Sequence, residues 1–519
     1  MAAVSAGGEK RPEEKLAGAA LLAIAIAVAV LLMSQTFGGP WRRVPWLGQN
    51  GARYSIMARN FDRLGFLETR LAPVMSSGDP LGVPRQYYLH HPPLLPLTIG
   101  LAFRIAGIGE DVARAVAALF SLLNVLLVAA LACRFWGPVA GGIAALLTAG
   151  LPFTGVYGVH VDVQGPQVLS FLLLTWLLLR TYRDRRKGVS LALAMVAFGL
   201  GMLSDWPAYY LGLIGPVVWW CDRGACGRAP VVLMPLAALF VFGLLRLQAS
   251  LVGDPGGGLQ QSLVLRSFDI VREMRERPDE VFAALQARLQ DFLELYPWPV
   301  LLLAALGLLR RSRHGARLWS AGLASAGILH VALFPAGAVL HDYWTFALFP
   351  GSVLLATSGL LWIWESAALW RYRWLWRALA GLLLAWLLWL SVSASIERFA
   401  PARVDLRHVL LGRALAAATS ASEIVLTNAP YNPVDGQPLS YPVFSYYSDR
   451  CVLGGVDDLG ELHRFRAEPG AGAFFLVPPR AFPGVVTEAS YRMLADELRW
   501  MGEVRELEQG VMLCRFRGP

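Results

Sequence analysis

The chain has 519 residues, of which 56% are hydrophobic and only 16% are charged, and its mean hydropathy is +0.49. Soluble domains carry about 25% charged residues, so this composition excludes an ordinary soluble protein and, with its long apolar runs, predicts a polytopic α-helical membrane protein. The net charge of +9 does not indicate nucleic-acid binding, because the excess of Arg and Lys lies in short clusters between apolar segments, as in cytoplasmic loops.

The first apolar segment, residues 16 to 33, follows Lys10, Arg11 and Lys15. No cleavage site with small residues follows at the usual distance, so we expect a retained signal anchor. The preceding positive charges indicate that its N-terminus lies in the cytoplasm.

Basic clusters set the expected orientation of the later segments. Four clusters of Arg and Lys predict cytoplasmic loops: residues 180 to 187, 223 to 228, 310 to 317 and 371 to 377. Three short connections contain no Lys or Arg and are expected on the outer side: residues 158 to 165, 203 to 207 and 336 to 344. Counting from these loops predicts about eleven spans, at residues 16 to 37, 111 to 132, 139 to 157, 166 to 181, 188 to 204, 206 to 221, 229 to 249, 296 to 310, 317 to 336, 345 to 365 and 376 to 396.

The apolar stretch from residue 92 to 107 is not counted as a span. It begins with two prolines and contains Arg104, which predicts a helix in the outer membrane interface. It lies in the first of two long outer loops, residues 38 to 110 and 250 to 295, which complete a predicted membrane domain of residues 1 to 396.

The tail, residues 397 to 519, changes character. "EIVLTN", "GAFFLVPP" and "GVMLCRFRG" read as strands, and "TEASYRMLADELRWMGEVREL" reads as an amphipathic helix. We expect a small α/β domain outside the cytoplasm. Cys451 and Cys514 lie in it, and a disulfide and two buried thiols are both compatible with the sequence.

The polar residues of the hydrophobic part gather at one expected membrane face. No Walker phosphate-binding loop is present, and the last lysine is Lys187, which excludes ATP-driven transport through such a loop. The outer connections instead carry "GARYSIMARNF", "QYYLHHPPLLP", Arg114, Asp162 and "HDYW" at 341 to 344. Arg and His can bind a phosphate, a carboxylate can activate an acceptor or hold a divalent metal ion, and apolar surroundings can take a lipid.

In their order and spacing these motifs resemble those of the membrane glycosyltransferases of the GT-C fold, within the branch of protein O-mannosyltransferases and lipid A aminoarabinose transferases. The matching stretches are "ARYSIMARNF", "YYLHHPPLLPL", "EDVARAVAALFSLL", "VYGVHVDVQGPQVLSFLLL" and "HDYWTFALFPGSVLLATSGL". Relatives have an acidic residue where this chain has Asn50.

The resemblance implies transfer of a sugar from a polyprenyl-phosphate donor to a lipid, glycan or protein acceptor, outside a bacterial-type inner (plasma) membrane. It implies that Asp162 lies near the acceptor or a divalent metal ion and that His91 contacts the donor phosphate. Further expected site residues are His90, Arg114 and Arg53 for the phosphate, Asp342 as a second catalytic carboxylate, and Asn50, Tyr54, Tyr88, His341 and Tyr343 around them.

Each of these residues also has a structural interpretation. Asp162 can cap the following helix, and Arg114 can anchor a helix end. His90 and His91 can be interfacial polar residues before a proline stop, and "HDYW" can belong to an aromatic belt. Asp62, Glu68 and Asp79 are further carboxylates in the first outer loop. The alternative function is a non-catalytic or transport protein on the same scaffold that binds lipid-linked glycans.

Overall fold

The computed structural model describes residues 12–41, 47–78, 85–185, 187–222, 228–253, 272, 274–310, 315–367, 373–398, 406–429, 442–467, 471–479, 486–507 and 510–516. These residues form two compact units. The first unit comprises residues 1–37, 89–95 and 114–399, and the second comprises residues 38–88, 96–113 and 400–519.

Helices dominate the chain, because an α-helix pairs the backbone N–H and C=O groups of an apolar segment within the segment itself. In chain order they are α1 (Pro12–Ser34), α2 (Leu47–Leu64), α3 (Leu94–Ala106), α4 (Glu110–Trp136), α5 (Pro138–Gly150), α6 (Pro152–Tyr157), α7 (Pro166–Arg185), α8 (Gly188–Ser204), α9 (Pro207–Cys221), α10 (Ala229–Leu251), α11 (Pro278–Leu295), α12 (Trp298–Leu309), α13 (Ala316–Leu333), α14 (Pro335–Leu340), a 3-10 helix (Asp342–Leu348), α15 (Phe349–Ala367), α16 (Arg373–Arg398), α17 (Arg407–Ala418), α18 (Pro442–Ser448), α19 (Leu459–Arg466) and α20 (Glu488–Met501).

The predicted spans all coincide with helices, although not all of them have the length of a span. Among the described residues, six helical stretches are long and apolar enough to cross a membrane, or seven if α11 and α12, bent by 76°, form one span. The molecule is therefore a multi-pass membrane protein. The number of eleven spans and their orientation stay predictions.

Prolines explain why some predicted spans are short or broken. The predicted segment 139 to 157 divides into α5 and α6 at Leu151, whose backbone is extended (φ −76°, ψ 145°). Because a residue before proline avoids the helical region, Leu151 leaves the helix and Pro152 starts the next one.

The segment expected in the membrane interface, residues 92 to 107, contains α3, which has 13 residues. Its length is about 20 Å of helix, less than the ~30 Å hydrocarbon core.

Two glycines allow α12 and α15 to pack backbone against backbone. A Cβ atom at Gly307 would overlap the carbonyl oxygen of Leu355, and one at Gly359 would overlap that of Leu303. Small residues at such crossings let membrane helices approach closely.

The second unit contains a five-stranded sheet. Its strands are β1 (Ile424–Thr427), β2 (Cys451–Leu453), β3 (Ala471–Leu476), β4 (Gly502–Glu506) and β5 (Met512–Phe516), in the order β2-β1-β3-β5-β4. β1 is parallel to β2 and β3, while β5 is antiparallel to β3 and β4.

The sheet has an apolar core on each face. Val425 and Phe475 belong to the core that also contains Leu411 of α17 and Phe444 of α18. Their neighbours Leu426 and Phe474 belong to the core that includes Leu462 of α19 together with Leu494 and Leu498 of α20. Successive side chains of a strand point to opposite faces, so helices cover both sides of this sheet.

Two sequence expectations for the tail need correction or completion. The helix expected through "TEASYRMLADELRWMGEVREL" ends at Met501, and its last residues form β4, because Gly502 is extended (φ −165°) and pairs with Phe516. A Cβ atom at Gly502 would overlap the carbonyl oxygen of Arg515.

Cys451 on β2 and Cys514 on β5 are separated by β1 and β3, about 14 Å at the usual strand spacing. A disulfide needs Cα atoms within about 7 Å, so the two thiols are not joined.

Candidate functional site

Asp162 lies in the turn between α6 and α7, four residues before Pro166 begins the helix. Its Oδ1 accepts a hydrogen bond from the backbone N–H of Gln164 at 2.8 Å, and the residue is buried. The carboxylate therefore orders its own turn, as Asp commonly does. Its second oxygen, Oδ2, faces other side chains.

Side chains from two segments surround Oδ2 of Asp162. The hydroxyl of Tyr343 donates to it over 3.5 Å, and Nε2 of His160 lies 3.8 Å away. The imidazole of His160 packs edge-on against the ring of Tyr343, with centroids 4.6 Å apart, and the ring of His341 also packs against Tyr343, with centroids 5.2 Å apart. The structure thus brings Asp162 together with the "HDYW" segment.

His160 was not expected in this group. It is 1% exposed, and neither ring nitrogen has a hydrogen-bond partner among the described residues. Burial lowers the pKa of His160 to about 3, although the carboxylate of Asp342 acts in the opposite direction. The ring is consequently neutral at pH 7. Its only sequence signal was its place two residues before Asp162.

Asp342 is the first residue of the 3-10 helix and is also buried. Its electrostatic effect on His160 indicates that the two predicted catalytic carboxylates, Asp162 and Asp342, act on the same imidazole. A neutral imidazole can donate one hydrogen bond and accept another.

His90 and His91 form a second group of the first unit with residues 205 and 206. Nδ1 of His91 lies 2.7 Å from Oδ1 of Asp205, and the side chains are 5% and 0% exposed. The indole N–H of Trp206 donates to the carbonyl oxygen of His90 at 3.3 Å. Asp205 follows the last residue of α8, and Pro207 begins α9. The sequence placed Asp205 in an outer connection but did not link it to His91.

Arg114 is on α4 and is 5% exposed. An anchor at a helix end would keep its guanidinium in the polar interface, so the burial of Arg114 favours a role inside the protein.

The remaining predicted site residues belong to the second unit. Asn50, in the first turn of α2, is buried, and the next residue is Gly51, where a Cβ atom would overlap the indole of Trp41. The ring of Tyr54 packs edge-on against Tyr88 at 6.2 Å, and the guanidinium of Arg53 lies 6.0 Å from the same ring.

The other carboxylates of the first outer loop are not buried where the structure describes them. Asp62 and Glu68 are exposed, and Asp79 lies outside the described residues. Buried carboxylates of the first unit are better placed to meet a ligand away from water.

The donor groups around Asp162 do not form a cage for a metal ion. In the part of the chain that the structure describes, the only three ligating side chains with donor atoms within 4.8 Å of one another are Asp457, Asp458 and Glu461, on the surface. There, Asp458 Oδ1 accepts the backbone N–H of Glu461, which is an ordinary start of a helix. Metal binding by Asp162 stays a prediction.

The helical scaffold and its polar clusters define a class of protein. The chain has the fold of the GT-C membrane glycosyltransferases, and the resemblance inferred from its motifs is confirmed. The sequence model of the family described as dolichyl-phosphate-mannose-protein mannosyltransferase matches residues 90 to 245, a range that includes His91, Asp162 and Asp205.

Three solved structures illustrate the similarity. ArnT from Cupriavidus metallidurans, bound to undecaprenyl phosphate, is 14% identical with a TM-score of 0.54, over 96% of this chain and 99% of that one. The archaeal oligosaccharyltransferase AglB from Archaeoglobus fulgidus, in complex with an inhibitory peptide and a dolichol-phosphate, is 13% identical with a TM-score of 0.58, over 97% and 74%. The A. fulgidus oligosaccharyltransferase tethered with an acceptor peptide gives 13% identity and a TM-score of 0.59, over 88% and 68%. A sequence search of curated proteins found no match.

Proposed function

We propose that the chain is a glycosyltransferase that moves a sugar from a polyprenyl-phosphate donor to a lipid, glycan or protein acceptor at the outer face of the cytoplasmic membrane. The observation that carries the proposal is the buried carboxylate of Asp162, oriented by Gln164 and Tyr343 within a GT-C scaffold. Two similar structures contain a bound undecaprenyl phosphate and a bound dolichol-phosphate, which supports a lipid-phosphate donor.

The residues divide the reaction between them. The acceptor oxygen or nitrogen forms a bond to C1 of the sugar while the bond from C1 to the phosphate oxygen breaks, and the bonding electrons leave with the polyprenyl phosphate. Asp162 takes the proton that the acceptor loses, which is the work of a general base. His91 binds the phosphate as its negative charge grows, and the buried guanidinium of Arg114 is the second cation assigned to it.

Asn50 gives the alternative function its support. An amide can orient a ligand by hydrogen bonds but cannot take a proton, so a chain with Asn at the family's first acidic position could bind a lipid-linked glycan without transferring it. The buried Asp162 and Asp342 favour transfer, because one carboxylate of the pair remains available as base.

The test is a transfer assay on purified protein with a panel of polyprenyl-phosphate sugars and candidate acceptors. Wild-type protein should transfer one of the sugars, Asp162→Asn should lose about 10²-fold or more, the usual contribution of a general base, and His91→Ala should weaken use of the donor. Asp62→Asn, at an exposed carboxylate, is the matched control and should keep full activity.

Two outcomes would contradict the proposal. Full transfer by both Asp162→Asn and His91→Ala would reject the site. Tight binding of a lipid-linked sugar by wild-type protein, without transfer to any acceptor, would favour the alternative function.

A further inference from the structure

We infer that Asp205 is a positioning residue that holds His91 in the orientation and the protonation state needed to bind the phosphate of a lipid-linked ligand. This inference rests on the proposed function, because it explains how one residue of that site acts. Asp205 itself does not touch the ligand.

The geometry begins with a buried carboxylate. Asp205 is 0% exposed, and its Oδ1 lies 2.7 Å from Nδ1 of His91. A carboxylate removed from water is costly unless it accepts hydrogen bonds. Nδ1 of His91 therefore carries a proton and donates a hydrogen bond to Asp205, because the other tautomer would put two lone pairs against each other.

The proton on Nδ1 determines what Nε2, the other nitrogen of the His91 ring, can do. With Nδ1 fixed as a donor, only Nε2 can change, and it must carry a proton to donate to a phosphate oxygen. A ring that donates from both nitrogens is a cation, and the carboxylate of Asp205 compensates that charge. Histidines that hold metals are oriented in the same way by a partner on the second nitrogen.

A second contact fixes the backbone beside the ring. The indole N–H of Trp206 donates to the carbonyl oxygen of His90 at 3.3 Å. The adjacent residues Asp205 and Trp206 therefore bind the adjacent residues His91 and His90, respectively. The segment they hold, residues 89 to 95, is grouped with the first unit, whereas the chain on either side of it is grouped with the second. Residues 205 and 206 thus supply contacts that keep this short segment on the helical scaffold.

The experiment measures binding of undecaprenyl phosphate to full-length protein in detergent, with thermal unfolding recorded for each variant. Asp205→Asn should weaken binding about 10- to 100-fold, by analogy with the loss of such partners at metal-binding histidines. Asp205→Glu should retain most of the affinity, because it keeps a carboxylate. Trp206→Phe should lose less, about 2- to 13-fold, the value of one neutral hydrogen bond.

Introducing Asp205→Asn into a protein that already carries His91→Lys distinguishes a positioning role of Asp205 from a general loss of structure. Lysine has no tautomer for Asp205 to select, so in a His91→Lys protein the Asp205→Asn change should weaken binding less than it does beside His91. Equal losses in the His and Lys backgrounds would overturn the inference and show a structural role for Asp205.

The remaining outcomes also discriminate. Wild-type transfer together with unchanged binding by Asp205→Asn would reject the inference and leave the proposed function intact. Failure of wild-type protein both to bind undecaprenyl phosphate and to transfer any sugar would reject both.

Discussion

The guanidinium of Arg59 on α2 forms an ion pair with the carboxylate of Asp449 in the tail, with 2.9 Å between Nη2 and Oδ1. Arg59 also donates to the carbonyl oxygen of Tyr446 at 3.2 Å and lies over the ring of that residue. Burial lowers the pKa of Arg59 while Asp449 opposes this effect. Since Arg keeps its charge inside proteins, the pair compensates a buried cation and joins residues 38–88 to the tail within the second unit.

Removing the acidic partner should therefore destabilise the second unit. Asp449→Ala leaves the Arg59 guanidinium buried without its carboxylate, and we expect a loss of about 2 to 4 kcal/mol in unfolding free energy, somewhat below the usual cost for a fully buried pair because Asp449 is 32% exposed. Arg63 binds the same carboxylate at 2.6 Å but is 28% exposed, so the control Arg63→Ala should cost less than about 1 kcal/mol. Thermal unfolding and limited proteolysis measure both, and equal effects would refute the assignment.

The crossing of α12 and α15 makes a second prediction. Gly307→Ala places a methyl group against the carbonyl oxygen of Leu355 and should cost about 1 to 3 kcal/mol, as overpacking does. The control is Gly381→Ala in α16, where a Cβ atom meets nothing within 4 Å, and the higher helix propensity of Ala should make it neutral or stabilising. Melting temperatures in one detergent decide the question, and a Gly307→Ala protein as stable as wild type would show that the helices can separate without cost.

The thiols of the tail provide a third test. Burial raises the pKa of Cys451 to about 11, so at pH 8 only about one thiol in a thousand is ionised, and the thiolate is the reactive form. Iodoacetamide should spare Cys451 in the folded protein and modify exposed Cys221. Mass spectrometry after denaturation without reductant should then find Cys451 and Cys514 alkylatable, and a peptide linked between them would contradict the strand order.

The fourth prediction concerns the missing acid. If Asp162 is the base and Asn50 only orients a ligand, Asn50→Ala should lower transfer by no more than about 10-fold, the worth of a hydrogen bond, whereas Asp162→Asn loses about 10²-fold or more. The kinetic parameters kcat and KM should be compared for both variants with the same donor. A complete loss of transfer in the Asn50→Ala protein would instead assign an essential role to Asn50.

Periodicity and charge identified much of the fold, because apolar length and basic loops are local signals. The helical positions of the spans followed from them, and so did three strands of the tail. The end of α20 at Met501 did not, since β4 forms through its pairing with β5, a contact that an amphipathic pattern does not reveal.

The site was predictable only in part for the same reason. His91 and Asp162 stood in recognisable motifs, and the structure brings Asp162 beside Tyr343. The pairing of His91 with Asp205 joins residues 114 positions apart, and no spacing rule connects them. His160 was hidden in an apolar stretch, where a histidine is usually read as packing.

The division of the chain into units has a practical consequence for anyone who shortens this protein. Cutting at the predicted boundary after residue 396 would remove the sheet but leave α2 behind, and with it Arg59 and the backbone N–H of Trp41, which donates to the hydroxyl of Tyr447. Such a fragment would expose the residues of 38–88 that contact the tail in the full chain, and it should aggregate. Separately expressed tails, or chimeras that exchange the tail between relatives, would need residues 38–88 and 96–113 to travel with it.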